Sequence, residues 1–238
     1  MLVQRVVVEE LLRADRAVRA IGRSHERLAP MEAVGAQAFV ADPTDHAALA
    51  DAFDGAEGVY VMIQPDYIPD SPDFLAHQRS IVDAMTAALA GAGVRRVVTL
   101  SSWGADKPAG TGPVAGLHYL ERQIDTLDAI VTHLRAGYFM ENLLGQVETI
   151  RSAGVICAPF DPDVAMPFIS TADIGMTAAH NQHRNVRCRN VRAAAAGSTD
   201  HRRAPPGAVA VGELHALSTP VYATQAGIRV RPSTSAIR

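Results

Sequence analysis

The distribution of apolar and polar residues along the chain changes repeatedly between a helical period and short apolar runs. Residues 6–13 place Val and Leu side chains on one helical face and charged side chains on the other. Residues 59–63 and 97–100 are instead continuous, largely apolar runs, which are typical of strands buried on both faces. Strands separated by helices of this length predict right-handed crossovers and a parallel, doubly wound α/β sheet.

The same patterning divides the chain into an ordered part and a tail. We predict one domain over 1–179, with strands at 17–21, 36–40, 59–63, 97–100 and 129–134, helices at 6–13, 47–53, 74–90, 114–127 and 139–152, and a last helix starting near Gly175. Residues 180–238 carry scattered Arg, His, Pro and Gly with little apolar periodicity, so we predict a poorly structured tail. A small substrate lobe is the alternative for this tail.

The start of the chain departs from the usual plan of such a sheet. In a Rossmann sheet the first strand is central, and a glycine-rich turn after it receives a pyrophosphate at a helix N-terminus. Here the first predicted helix lies at 6–13, and the first glycine is Gly22. We therefore expect a Rossmann-like sheet that lacks the first strand and the glycine-rich loop, and so a truncated member of its class.

Composition and charge exclude several classes of partner and site. The net charge of −3 over 238 residues gives no argument for nucleic-acid or membrane binding, and no apolar stretch approaches the length of a membrane helix. Two cysteines, Cys157 and Cys188, are too few for a disulfide framework and lack partners at metal-ligand spacing. A cytoplasmic protein without a metal site is the expectation, and its oligomeric state stays open.

Six stretches carry a resemblance to a known family, in the expected order over 7–175. They are VVEELLRADRAVRAIGRS, VADPTDHAALADAFDGAEGVYVMI, RRVVTLSS, GLHYLERQI, VTHLRAGYFMENLL and FISTADIG. Together they resemble the NmrA-like, atypical short-chain dehydrogenase/reductase family. That family includes NAD(P)H-dependent quinone reductases and cofactor-sensing regulators, so the resemblance implies NAD(P)H binding.

Candidate residues for the adenosine end of the cofactor follow the predicted strands at 17–21 and 36–40. Arg23 and Ser24 stand where a Rossmann unit reads the ribose, and an arginine there accommodates the 2′-phosphate of NADP(H). The alternative for Arg23 is a solvated side chain at a strand end. The resemblance implies that Asp42 lies near the adenine, whereas helix capping is the alternative for Asp42 and the better interpretation of Asp45.

Candidate residues for the reacting end follow the next two strands. Ile63 and Gln64 end one strand, where they would cover the nicotinamide ribose or simply pack. Ser101 and Ser102 end the next one, where a serine of short-chain reductases polarises a carbonyl. That serine works with a Tyr-x-x-x-Lys pair. Gln123 occupies the lysine position of that pair, so we expect the nearby tyrosine to be a packing residue.

The helix predicted at 114–127 offers a different pair. His118 and Glu121 fit the H-x-x-E pattern of the quinone-reductase-like members, which implies that His118 contacts the nicotinamide ribose or donates a proton. A surface histidine is the alternative. Tyr138 and Phe139 resemble the family segment that lines the nicotinamide end, and their rings would suit a flat acceptor, although core packing also explains them.

Three hypotheses for function follow. The first is an NADPH-dependent reductase of a small quinone-like acceptor, with His118 and Ser101 as the catalytic candidates. Quinones are intrinsically reactive, so they tolerate the absence of a Tyr/Lys pair. The second is a non-catalytic NADP(H) sensor that regulates a partner. The third is an inactive, truncated product.

Overall fold

The computed structural model describes residues 3–63, 73–157 and 165–183, together with the backbone of two short strands at 191–192 and 227–229. The helices are α1 (Val3–Arg13), α2 (His25–Glu32), α3 (His46–Phe53), α4 (Phe74–Gly91), α5 (Ala115–Ile124), α6 (Val147–Ala153) and α7 (Thr171–His183). The strands are β1 (Arg19–Gly22), β2 (Gln37–Val40), β3 (Val59–Val61), β4 (Arg96–Ser102), β5 (Ile130–Ala136), β6 (Tyr138–Phe139), β7 (Val155–Cys157), β8 (Phe168–Ile169), β9 (Val191–Arg192) and β10 (Gly227–Arg229).

The main sheet is parallel and has β4 near its centre. Its strand order is β3-β4-β5-β9, and β1 and β2 form a separate parallel pair. β6 pairs with β8 in parallel, and β10 pairs with β7 antiparallel. Parallel strands joined through helices confirm the predicted doubly wound α/β fold.

Alternating side chains of β4 supply the core on both faces of the sheet. Val97 is fully buried in a cluster with side chains of α3, α4 and α5. Val98 and Leu100 point to the opposite face and pack with side chains of α1 and α7. Because successive residues of a strand face opposite sides, a continuous apolar run such as this one must be covered by helices on both faces.

The helices α1 and α7 pack closely because Gly175 of α7 has no side chain. A Cβ atom on Gly175 of α7 would lie 2.5 Å from Cβ of Val6 and 3.0 Å from the carbonyl oxygen of Val3. Val7 is completely buried in the same interface. This contact holds α1, the first element that the structure describes, against the sheet.

A cavity lies beside the β1–β2 pair and β3 of the main sheet. The cavity has a volume of about 540 Å³, and residues of β1, β3, α1 and α3 line it. Among the described residues no strand lies between β1 and β3, and neither strand pairs with the other.

Several elements differ from those predicted from sequence: α7 begins at Thr171 and not near Gly175, and β7 and β8 were not predicted. Helix α2 was not predicted, because Pro30 lies inside it and its apolar positions are few. The predicted helix at 139–152 is only partly correct: Phe139 lies on β6, Met140–Gln146 form a 3₁₀ helix, and only Val147–Ala153 form an α-helix, α6. Gly145 inside this segment weakens a regular helix.

The predicted tail at 180–238 lies mostly outside the described residues. Helix α7 continues through the start of this range to His183, and β9 and β10 also fall within it. The predicted domain boundary at 179 therefore falls inside a helix, and the expectation of a poorly structured tail stays a prediction.

A matched pair of leucine substitutions tests the core. Leu120 of α5 is fully buried, whereas Leu144 is 69% exposed. We expect Leu120→Ala to lower the free energy of unfolding by about 3 kcal/mol, because it leaves a cavity in the core. Leu144→Ala should change it by less than about 0.5 kcal/mol. Urea denaturation measures both, and equal effects would contradict the packing described above.

Candidate functional site

The candidate residues meet along the carboxyl edge of the parallel strands. Arg23 follows β1, Asp42 follows β2 and Ile63 follows β3, while Ser101 lies at the end of β4. The register pairs Val61 with Thr99, so Ile63 and Ser101 each lie two residues past a paired position. Ligands of open α/β sheets bind at this edge, which makes it the candidate site.

Asp42 is an acidic group held ionised at this edge. Its Oδ1 accepts hydrogen bonds from the Thr44 hydroxyl at 2.6 Å and from the Thr44 backbone N–H at 2.8 Å. These two bonds lower the pKa of Asp42 against the opposing effect of burial, and electrostatic interactions with Arg23 and His77 lower it by smaller amounts. Arg23, Asp42 and His77 therefore form one electrostatic group.

The two aspartates after β2 have different roles. Asp45 is the N-cap of α3, and its Oδ1 accepts from the backbone N–H groups of Ala47 at 3.0 Å and Ala48 at 3.1 Å. This confirms the interpretation of Asp45 as a cap. Asp42 bonds to Thr44 instead, so its carboxylate does not cap α3.

Ser24 begins α2 without using its side chain for the helix. It has extended backbone angles as the N-cap, and its hydroxyl makes no capping hydrogen bond. Serine caps normally accept a bond from an N–H of the first turn. The hydroxyl next to Arg23 is thus left for another partner.

The end of β3 contributes an apolar side chain. Ile63 is 5% exposed and packs in the cluster beneath α3, α4 and α5. Packing therefore accounts for its side chain, and its proposed contact with a nicotinamide ribose stays a prediction. Gln64 lies outside the described residues.

A buried ion pair joins β4, β5 and α5. Glu121 of α5 accepts from Arg135 of β5 through two bonds, Nε to Oε1 at 2.9 Å and an Nη to Oε2 at 2.5 Å. The Ser101 hydroxyl donates to Oε1 of the same carboxylate at 2.5 Å. Ser101 is 2% exposed and Glu121 is 5% exposed. The Ser101 hydroxyl is therefore committed to holding Glu121, and its neighbour Ser102 is the half-buried serine of the pair.

Opposing effects set the charge of this carboxylate. Burial raises the pKa of Glu121, but the bonds from Arg135 and Ser101, with the nearby charges, more than offset it and hold the pKa below its usual value. The bonds to Glu121 raise the pKa of Arg135. Both groups stay charged near neutral pH, as a bidentate Arg–carboxylate pair requires.

His118 lies one helical turn before Glu121 and is oriented by the loop after β4. Its Nδ1 lies 2.8 Å from the carbonyl oxygen of Ala105. A carbonyl can only accept, so Nδ1 carries the proton, and in the neutral ring Nε2 is left as an acceptor. His118 is half-buried, so its Nε2 is the ring atom that can meet a ligand at this edge.

Tyr119 points away from the strand ends toward α4. Its hydroxyl donates to Oδ1 of Asp83 at 2.7 Å, and the Arg79 guanidinium lies 5.6 Å from its ring centre. The bond to Asp83 raises the pKa of Tyr119. These contacts agree with the prediction that Tyr119 is a packing residue.

Aromatic side chains border the end of β5. Tyr138 of β6 packs edge-to-face on Phe168 of β8 at 5.5 Å, and Phe139 joins the core cluster beneath α1 and α7. Trp103 follows β4 with half of its surface exposed, and its backbone N–H donates to the carbonyl oxygen of Ala136 at 2.8 Å. Packing accounts for part of these rings, and their place at the acceptor end stays a prediction.

Sequence reasoning missed two polar residues of β5 that lie wholly or partly in the interior. Arg135 was not singled out, although an arginine inside the apolar strand 130–136 is itself a signal of a buried partner. His133 is 3% exposed; its Nδ1 lies 2.7 Å from Oγ1 of Thr99 and its Nε2 lies 3.3 Å from Oδ1 of Asp125. Burial lowers the pKa of His133 more than the nearby carboxylates raise it, so the ring is neutral at pH 7.

Two kinds of site find no support in the part of the chain that the structure describes. No group of three or more His, Cys, Asp or Glu side chains there is arranged to hold a metal ion. None of the helices within the described ranges is both long and apolar enough to cross a membrane.

The ion pair predicts a specific dependence of stability on pH. The depressed pKa of Glu121 means that its contribution is complete above the unfolded value, about 4.3, and is lost as pH falls through the folded pKa. Glu121→Gln leaves Arg135 without its charge partner, so we expect a loss of about 3 kcal/mol at pH 7.

Urea denaturation at pH 7 and in the acid range checks this expectation. The difference in unfolding free energy between the original chain and Glu121→Gln should shrink as pH falls from the unfolded pKa through the folded pKa, because below the folded pKa both chains carry a neutral side chain. Glu148→Gln, at an exposed position of α6, serves as the control and should match the original chain at each pH. A gap that stays constant with pH would contradict the assigned ion pair.

Comparison with solved structures shows the same fold in several reductases. An NADPH-dependent quinone oxidoreductase from Escherichia coli is 25% identical with a TM-score of 0.60, covering 77% of this chain and 61% of its own. The triphenylmethane reductase of Citrobacter sp., solved in complex with NADP(H), is 17% identical with a TM-score of 0.61, covering 81% of this chain and 66% of its own. Vestitone reductase from alfalfa is 12% identical with a TM-score of 0.60, and the match covers 82% of this chain and 74% of that protein.

The matches also show how much of each solved protein this chain covers. It covers somewhat less than two thirds of the first two of these solved proteins. No curated protein matches it. Residues 3–199 match the NmrA-like family, which is more than half of the chain. The chain therefore belongs to the NmrA-like family.

Proposed function

We propose that this protein binds NADPH and reduces a small quinone-like acceptor. The observation that carries the proposal is the pair Arg23–Ser24 at the carboxyl end of β1, in a chain of the NmrA-like family. The solved structures that share its fold include a quinone oxidoreductase described as NADPH-dependent and a reductase solved with NADP(H). The cytoplasm, which supplies NADPH and keeps two cysteines reduced, is the proposed compartment.

The residues at the adenosine end fit the cofactor. The half-buried Arg23 guanidinium offers charge-assisted donors to a 2′-phosphate, and the Ser24 hydroxyl is not used as a helix cap. The first turn of α1, which starts at this edge, carries no acidic side chain that would repel a phosphate. Asp42, held ionised beside Arg23, would orient the guanidinium and accept from an adenine amino group.

The residues at the acceptor end have separate roles. NADPH supplies a hydride when it is bound. His118, with Nδ1–H fixed on Ala105, presents Nε2 to a ribose hydroxyl or to an acceptor oxygen that needs a proton. Ser101 holds Glu121 and acts as a positioning residue, while Ser102 is the serine whose hydroxyl could meet the acceptor. The rings of Tyr138 and Phe139 would border a flat substrate.

A non-catalytic NADP(H) sensor is the second candidate. The observation that favours it is that the hydroxyls of Ser101 and Tyr119 are both engaged, with Glu121 and Asp83 respectively. A sensor would retain the contacts to the adenosine phosphate but would not turn over NADPH. Oxidation of NADPH in the presence of a quinone separates the two functions.

The cofactor preference gives a direct test of Arg23. We expect Arg23→Ala to weaken NADPH binding at least about tenfold and NADH binding by much less, because it removes charge-assisted bonds to the 2′-phosphate alone. Titration followed by nucleotide fluorescence measures both constants. Arg151→Ala, at an exposed position of α6, is the control and should bind as the original chain does. Failure of the original chain to bind NADPH at all would overturn the proposal and favour an inactive product.

The role of His118 is tested by turnover. We expect His118→Gln to lower kcat with a quinone by about a hundredfold, because the positioned proton donor is lost, while NADPH affinity changes only a few-fold. Tyr119→Phe is the neighbouring control, since its hydroxyl bonds to Asp83 and faces α4. Stopped-flow or steady-state loss of NADPH absorbance gives the rates. Equal rates for His118→Gln and the control would remove His118 from the reaction, and no oxidation by the original chain would favour the sensor.

A further inference from the structure

We propose that Trp103 determines the acceptor specificity of the candidate site, because its indole stacks on a neutral, planar acceptor with fused rings, such as a naphthoquinone. The inference rests on the proposed function, since it concerns the acceptor of that same site, but its test measures acceptor binding without turnover. It is carried by the turn that holds the residue, by the exposure of its side chain and by the charges of the same loop.

A tight turn holds the backbone of Trp103 at the end of β4. The backbone N–H of Ala105 donates to the carbonyl oxygen of Ser102 at 3.0 Å, which closes a four-residue turn with Trp103 at its second position. Gly104 at the third position has a φ of +92°. A positive φ at that position is characteristic of a type II turn and favours glycine. Trp103 therefore lies at a turn corner whose backbone has little freedom.

Hydrogen bonds to two other elements anchor this turn. The backbone N–H of Trp103 donates to the carbonyl oxygen of Ala136, the last residue of β5, at 2.8 Å. The carbonyl oxygen of Ala105, a completely buried residue, lies 2.8 Å from Nδ1 of His118. One turn thus carries the indole and orients the imidazole that the proposed function uses. An acceptor that stacks on the indole lies beside the turn that positions His118.

The indole of Trp103 presents apolar surface to a ligand from a rigid position. Trp103 is 50% exposed, whereas Val98 and Leu100 of the preceding strand are buried. A single exposed apolar side chain is common on protein surfaces. This one differs because it is held on an anchored turn at the edge where ligands of parallel sheets bind. A large aromatic side chain with few rotatable bonds loses little conformational entropy on binding, which suits it to anchor a ligand.

The two fused rings of the indole determine which acceptor shape fits best. Aromatic rings attract each other in offset stacks or edge-to-face pairs. A fused bicyclic acceptor covers both rings of the indole in an offset stack, whereas a single ring covers only one. Because the favourable free energy grows with the apolar area removed from water, we expect fused-ring acceptors to bind more tightly than single-ring ones.

The charges near the turn favour a neutral acceptor. The ammonium group of Lys107 lies 2.7 Å from Oδ2 of Asp106, so the two charged residues that follow the turn offset each other. The pair of Glu121 and Arg135 at the end of β4 and β5 is likewise neutral as a whole. An anionic or cationic aromatic compound therefore finds no net opposite charge in this part of the site, whereas an uncharged quinone requires none.

Two quinones that differ in ring number test the proposal. One is a naphthoquinone methylated at both free positions of its quinone ring, and the other is tetramethylbenzoquinone, so neither leaves an open position for addition of a cysteine thiol. Equilibrium dialysis against the full chain, with and without NADP⁺, gives both dissociation constants and involves no hydride transfer. We expect the original chain to bind the naphthoquinone saturably and more tightly than the benzoquinone.

Substitution of the indole should separate the two quinones. We expect Trp103→Ala to weaken naphthoquinone binding about tenfold and benzoquinone binding by less, because the second ring loses its stacking partner. Trp103→Phe keeps one ring and should give an intermediate affinity, and it keeps the test valid if Trp103→Ala fails to fold. Met176→Ala, at a position of α7 that is 47% exposed, is the matched control and should bind both quinones as the original chain does.

Several outcomes would overturn the proposal. They are equal naphthoquinone affinities of the original chain and the Trp103 variants, absence of saturable binding to the original chain, and an equal loss of affinity for both quinones, which would give the indole a structural role only. The reductase activity fails separately. Binding that depends on Trp103 without oxidation of NADPH contradicts the reductase alone, whereas oxidation with an unchanged KM for the naphthoquinone in Trp103→Ala contradicts the stacking role alone.

Discussion

The buried contact between Glu121, Arg135 and Ser101 is the interaction on which the candidate site depends. It ties a helix to two adjacent strands at the edge where ligands of parallel sheets bind. Removing water from two charges is costly, and the bidentate geometry with a third donor is what compensates for that cost. Because His118 lies one turn earlier on the same helix, the geometry of Glu121 also fixes where the imidazole sits.

This arrangement explains why a serine at the end of β4 need not be a reacting group. The Ser101 hydroxyl is buried and bonded to a carboxylate, so its position serves the scaffold. Ser102, the next residue of β4, and His118, one turn before Glu121 on α5, are only half-buried.

The sequence predicted the fold well because burial on both faces leaves a strong pattern. The apolar runs at 59–63 and 97–100 correspond to β3 and β4, and the capping role of Asp45 followed from its place before an apolar helix. Prediction failed where local signals conflict, as with Pro30 in α2 and Gly145 in the region after β6. The partner of Glu121 was not predictable from spacing, because Arg135 is brought to it by strand register.

The single tryptophan of the chain, Trp103, lies at the candidate site. Trp103 follows β4, next to Ser102, with half of its surface in contact with solvent. Indole emission responds to the polarity of its surroundings and to nearby reduced nicotinamide, which absorbs in the range where indole emits. All tryptophan fluorescence of the unmodified protein therefore comes from the end of β4. A change in that emission reports a change in the surroundings of the candidate site.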